Sequence, residues 1–250
     1  MIEVEQVCLS YDGAQVLREV TLNLPKGGVT AIIGPNGAGK STLLSSIGRI
    51  LRADAGRVTL DGMDLARAPG CEVARKLAVL RQDNHTSARL TVRDLVSFGR
   101  YPHSRGRLCA EDMLQINRAL EYLGLSELAD RFLDQLSGGQ RQRAHIAMIL
   151  AQDTDYILLD EPLNNLDIRH AVGIMALIRR AAGELGKTIA VVMHDINIAA
   201  ACCARIVVMK EGRVTAHGTP AEIMSGPLLS AVYETPIEVV AVKDRLLALY

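Results

Sequence analysis

Gly34-Pro35-Asn36-Gly37-Ala38-Gly39-Lys40-Ser41, followed by Thr42, has the spacing GxxxxGK[ST]. Residues of these types in this order can wrap a phosphate. The glycines let backbone N–H groups curl around the anion at a helix N-terminus, Lys40 reaches the outer phosphates, and the Ser41 hydroxyl can ligate Mg2+. Taken alone, the stretch could also be a glycine turn capping a helix. Tyr156-Ile157-Leu158-Leu159-Asp160-Glu161 is an apolar run that ends in two acids. Asp160, at the carboxyl end of a strand, would hold Mg2+ directly or through water, and Glu161, pointing elsewhere, is the candidate general base that polarises an attacking water. Without a phosphate loop in the chain the pair would read as two solvated acids. Leu136-Ser137-Gly138-Gly139-Gln140 opens a helix, with Ser137 and Gln140 as the S-x-x-Q capping box. Two glycines directly after the cap cost roughly 1 kcal/mol each against alanine, and the expectation is that they leave the helix's positive end bare enough for a phosphate to approach.

Elements must bring these groups together. Val29 to Ile33 reads as a short buried strand entering the glycine loop, and Lys40 to Leu51 has helical spacing, so the loop sits between strand and helix as its chemistry requires. Before it, alternation in IEVEQVCLSY and QVLREVTLNL, broken at Asp12-Gly13 and at Pro25 to Gly28, predicts antiparallel strands. From about Thr91 to Ala151 the pattern turns helical. Tyr156 to Leu159 and Thr188 to Met193 read as buried strands, separated by an amphipathic helix from Ile168 to Leu185. A hairpin over Arg205 to Gly218 turns at Glu211-Gly212. His194 ends one of these strands on the expected ligand edge of a parallel sheet, the edge that also carries Asp160 and the glycine loop. The tail after Gly226 shows no metal or ligand site.

Lys plus Arg (28) equal Asp plus Glu (28), so no net field favours nucleic acid or an acidic lipid surface. No apolar run reaches the length of a membrane helix, and MIEVEQVCLS has neither the basic nor the apolar region of a signal peptide, so the protein is expected to stay in the cytosol. Cys8, Cys71, Cys109, Cys202 and Cys203 make no CxxC and are odd in number. They read as reduced thiols, mostly core filler.

LSGGQ at Leu136 to Gln140, with GPNGAGKST at Gly34 to Thr42 and ILLDEP at Ile157 to Pro162, resembles the ABC ATPase family across nearly the whole chain. The resemblance implies a single α/β P-loop NTPase domain with a mixed, mainly parallel sheet core and an N-terminal antiparallel β layer. Residues 1–87 and 154–250 would form that core, and 88–153 an inserted helical subdomain. It implies a head-to-tail homodimer in which Ser137, Gly138, Gly139 and Gln140 of one copy close over ATP held by Gly34, Pro35, Asn36, Gly37, Ala38, Gly39, Lys40, Ser41 and Thr42 of the other. Tyr11 would stack on adenine. Gln82 would be the loop glutamine near Mg2+, with Ser41 and Asp160 as the other metal ligands, Asp167 the loop aspartate at the dimer crossing, and His194 the switch that senses the γ phosphate. Catalysis would fall to Glu161, His194 and Gln82. The family drives separate membrane permease subunits, whose cytoplasmic helices would dock beside Gln82 and the segment Asp83 to Leu90. The chain would thus be peripheral on the cytoplasmic face of the bacterial inner membrane and served indirectly by a substrate-binding protein.

Leu90 to Ser104 and the Glu161-Pro162-Leu163-Asn164-Asn165-Leu166-Asp167 run look like the ATPases of iron-siderophore importers, the second most like the ferric catecholate branch. Haem and vitamin B12 importers are close relatives and remain open. A soluble, non-transport ABC ATPase is the alternative of another class. Arg100, Arg105 and Arg107 read as a solvated basic face.

Overall fold

The computed structural model describes residues 1–11, 13–82, 88–243 and 245–250. They pack as two compact units, Met1–Ala68 with Arg179–Tyr250, and Pro69–Ile178.

In the first unit the alternating N-terminal segments form the strands Ile2–Tyr11 and Ala14–Leu24, antiparallel, with Ile2 opposite Leu24 and Tyr11 opposite Ala14. The buried positions of the first strand are Ile2, Val4, Val7 and Leu9, so the period of two slips once. Gln6, at φ 48°, lies within the slip, a bulge that keeps both valines on the core face. Ala55–Leu60 and Met63–Asp64 extend this layer to four strands. A second group of strands is parallel at its centre. Gly28–Ile33 pairs with Thr188–Val192 on one side and Arg205–Lys210 on the other, and Arg213–Gly218 returns antiparallel after the Glu211-Gly212 turn. Ala31, Ile32, Ile33 and Ile189 through Val192 are all buried, as strands covered on both faces must be.

The helix after the glycine loop is Lys40–Ile47, shorter than the expected run to Leu51. Gly48 closes it, its N–H bonding to the Leu44 carbonyl, and Arg49 turns into the left-handed region at φ 60°. The tail, which carried no expected element, holds a helix, Gly226–Tyr233, and a hairpin, Glu238–Val242 with Arg245–Leu249. Asn197 ties that hairpin down by donating to the Ala248 carbonyl (3.1 Å) and accepting from its N–H (2.7 Å).

In the second unit Leu77–Leu80 runs parallel to Tyr156–Asp160. The helices Val92–Phe98, Ala110–Tyr122 and Gly138–Ala151 pack on one another through Val92, Val96, Ile116, Leu120, Ile146 and Ala147. Thr91 and Asp94 make a reciprocal capping box at the first of them. The amphipathic helix Ile168–Glu184 follows, and its residues as far as Ile178 belong to this unit.

Two expectations are corrected here. Arg100 is not part of a solvated basic face. It is 5% exposed, its Nε 2.8 Å from Asp112 Oδ1 and its Nη1 donating to the Ala151 carbonyl, while Arg105 and Arg107 are exposed. The cysteines are not mostly core filler: Cys203 is buried, and burial pushes its thiol up to about 12, but Cys71 and Cys109 are exposed and Cys8 and Cys202 half-buried. Among the described residues no helix is long and apolar enough to cross a membrane.

Candidate functional site

The glycine loop lies where the strand Gly28–Ile33 ends and the helix Lys40–Ile47 begins. Gly34 cannot be another residue, because a Cβ there would stand 2.1 Å from the Met209 carbonyl oxygen. Gly39 takes the N-cap position at φ 92° and has no side chain to offer the first-turn amides, which leaves those donors turned to the loop. Lys40 is buried, and its ammonium donates to the carbonyls of Gly34 and Pro35, both at 2.9 Å. The charge is therefore centred over the curl of the loop. Ser41 and Thr42 occupy the first helical turn, half-buried, and Asn36 and Gly37 are exposed at the loop's crest. Ala38 anchors the loop, accepting a hydrogen bond from Gly212 N–H, whose own carbonyl accepts from Arg18 N–H.

His194 joins this loop through strand register. Val192 is opposite Ile32, and Met193 N–H donates to the Ile32 carbonyl, so His194 comes level with Gly34 at the same sheet edge. Asp195, directly after it, caps the helix Ile196–Cys202 and so fixes where the strand must stop. Tyr11 ends its strand with its ring exposed.

The second unit holds the remaining residues. Asp160 is buried at the end of its strand. Glu161 takes φ 48°, rare for a residue with a side chain, which turns it out of the strand line. Its Oε2 accepts from Gln82 Nε2 at 2.7 Å and from Asn164 Nδ2 at 3.4 Å. The docking segment expected from Asp83 lies outside the described residues as far as Ser87.

Ser137 caps the helix Gly138–Ala151 as expected: its Oγ accepts from Gln140 N–H, and Gln140 Oε1 accepts from Ser137 N–H. The two glycines that follow differ. A Cβ on Gly138 would meet nothing within 4 Å, but one on Gly139 would run into the ring of His170. Asp167 caps the next helix, accepting at Oδ1 from the N–H and ring Nδ1 of His170, and these bonds hold its carboxyl below the usual carboxylate range. The structure thus brings Gly34 to Thr42 together with His194, joins Gln82 to Glu161, and links Asp167 to Gly139. His170 was not singled out from sequence, and Asn164 only as part of the run that marks the cargo branch, not as a partner of Glu161. The Asp167-x-x-His170 spacing, a cap and its third helical position, was the available signal for the histidine.

What this arrangement offers is a cationic, amide-rich phosphate cradle in one unit and a hydrogen-bonded carboxylate beside a buried acid in the other. Among the described residues no group of three or more His, Cys, Asp or Glu could hold a metal ion by itself.

A family model described as ABC transporter matches residues 17–164. Over 250 residues the chain is 48% identical to the petrobactin import ATP-binding protein YclP of Bacillus subtilis (strain 168), covering 100% of this chain and 99% of that protein. It is 42% identical over 231 residues to the ferric enterobactin transport ATP-binding protein FepC of Escherichia coli (strain K12), covering 92% and 85%. Among solved structures it is similar to the dimeric post-hydrolysis state of the ATP-binding cassette MJ0796 bound to ADP and Pi, with a TM-score of 0.77 and 31% identity, covering 88% of this chain and 99% of that one.

Proposed function

We propose that this chain, which belongs to the ABC transporter family, is the ATP-hydrolysing subunit of an importer of ferric siderophores. The observation that carries the cargo class is end-to-end similarity to a protein named for petrobactin import, together with the similarity to one named for ferric enterobactin transport. The phosphate cradle and the strand-ending acids carry the activity.

In this reading the backbone amides of Gly37 to Ser41 and the Lys40 ammonium bind the β and γ phosphates of ATP and balance their charge, and Tyr11 offers its exposed ring to the adenine. Glu161 accepts a proton from the attacking water, Gln82 holds the Glu161 carboxylate in place, and His194 meets the γ phosphate from the sheet edge. Mg2+, when bound, would neutralise phosphate charge. The Ser41 hydroxyl, the Gln82 amide oxygen and the Asp160 carboxylate would hold it, oxygen donors of the kind a hard cation takes alongside phosphate and water rather than in an all-protein cage. Ser137 and Gly139 of a second copy close over the nucleotide, where the helix N-terminus adds its positive end. A dimer that closes on two ATP and reopens after hydrolysis drives separate permease subunits, which receive cargo from a substrate-binding protein, and the chain sits on the cytoplasmic face of the cell membrane.

The test is uptake of an iron-55 siderophore by source cells with and without the gene, with labelled haem and cobalamin in parallel. Loss confined to siderophore uptake is expected. Loss confined to haem or cobalamin would overturn the cargo class.

A further inference from the structure

His170 stands between two residues that the proposed clamp uses. Its backbone N–H and its ring Nδ1 both lie 2.8 Å from Asp167 Oδ1. An ionised carboxylate only accepts, so the ring keeps a proton on Nδ1, and the neutral imidazole suffices to make the bond. The opposite edge of the ring faces the first turn of the helix Gly138–Ala151. There a Cβ on Gly139 would stand 2.2 Å from Cδ2, 2.8 Å from Cγ and 2.9 Å from Nε2. The space that a side chain at Gly139 would need is filled by the chain's own imidazole, whereas the space above Gly138 is open.

We propose that His170 is a positioning residue, a strut that fixes the Asp167 loop to the Ser137–Gln140 helix start so that both approach a second copy as one piece. The inference rests on the clamp reading above. It assigns Gly139 a role inside its own chain: the position must be glycine because the ring occupies the place of its side chain. Histidine suits the strut since it donates to Asp167 and is still wide enough to reach Gly139; Asn would donate but end short of it. Arg143 and Arg169 border the same depression as the ring, with Gly173 and Ile174, and neither carries the Asp167 bond.

A double-mutant cycle on the full chain tests this: wild type, Gly139→Ala, His170→Ala and both together, each measured for thermal midpoint and for ATP turnover with Mg2+. Gly139→Ala is expected to lower both, because its methyl displaces the ring. In the His170→Ala background the same substitution should cost turnover at least about fivefold less and leave the midpoint nearly unchanged, since contacting residues couple. His170→Ala alone should lower kcat with little change in the KM for ATP. His170→Asn should tolerate Gly139→Ala as well as His170→Ala does, and a Gly139→Ala protein that folds only when His170 is also replaced supports the strut outright. Equal losses in both backgrounds would overturn it. A wild type without ATP turnover would overturn the proposed function instead, while the midpoints would still decide the strut.

Discussion

Gln82 and Glu161 are side by side because the strands that carry them are in parallel register. Leu80 is opposite Leu159, and two steps further along both chains the Gln82 amide donates to Glu161 Oε2 at 2.7 Å. The left-handed backbone at Glu161 turns its carboxylate to that amide, at a conformational cost of roughly 1–3 kcal/mol. Strain at a strand end that holds one acid against the amides of Gln82 and Asn164 is hard to explain by stability and follows naturally if the carboxylate must face a water.

Glu161→Gln keeps the shape and removes the base. ATP binding is expected to persist while turnover falls by about a hundredfold or more, and the variant should accumulate as a dimer when ATP and Mg2+ are saturating. Light scattering after gel filtration measures this, and a monomer under those conditions would contradict the two-copy clamp.

Arg100 and Asp112 form a buried pair in the helical part of the second unit. Replacing Arg100 with Ala strands a buried carboxylate and should cost roughly 3–5 kcal/mol of stability by denaturant unfolding. The Cys109 N–H first, and then Arg100, hold the Asp112 carboxyl down at about 2. A carboxyl lowered in the folded state stabilises above its unfolded value and loses that contribution as pH falls. Stability should thus drop by about 2 kcal/mol between pH 4 and 2 on account of this group. Asp112→Asn should remove that part of the slope.

Gly212 links the antiparallel layer to the phosphate loop, donating to the Ala38 carbonyl and accepting from Arg18 N–H. A Cβ there would lie 2.2 Å from the Val16 carbonyl oxygen, and its φ is 77°. Gly212→Ala should therefore shift the loop and weaken ATP binding by about tenfold, read by titration with a fluorescent ATP analogue. Unchanged affinity would show that the loop does not depend on this turn.

The glycine loop, the strand-ending acids and the Ser137 capping box were legible because each is a local signal: residue types at fixed spacing between a strand and a helix. The hairpin at Glu211-Gly212 was legible for the same reason. Arg100 was misread because its burial depends on Asp112 and on the end of another helix, neither of which periodicity shows. The C-terminal hairpin was missed since its anchor, Asn197, is distant in sequence. Gly138 and Gly139 were read alike from sequence, because nothing near Gly139 in the chain reveals that the His170 ring stands where a side chain at Gly139 would go.

In the proposed function Lys40 and its loop hold ATP for hydrolysis. The most direct measurement is Mg2+-dependent ATP turnover by the purified chain beside its Lys40→Ala variant. Steady turnover in the wild type and its loss in the variant is the predicted result. A variant that hydrolyses ATP near the wild-type rate would contradict the account at its first step.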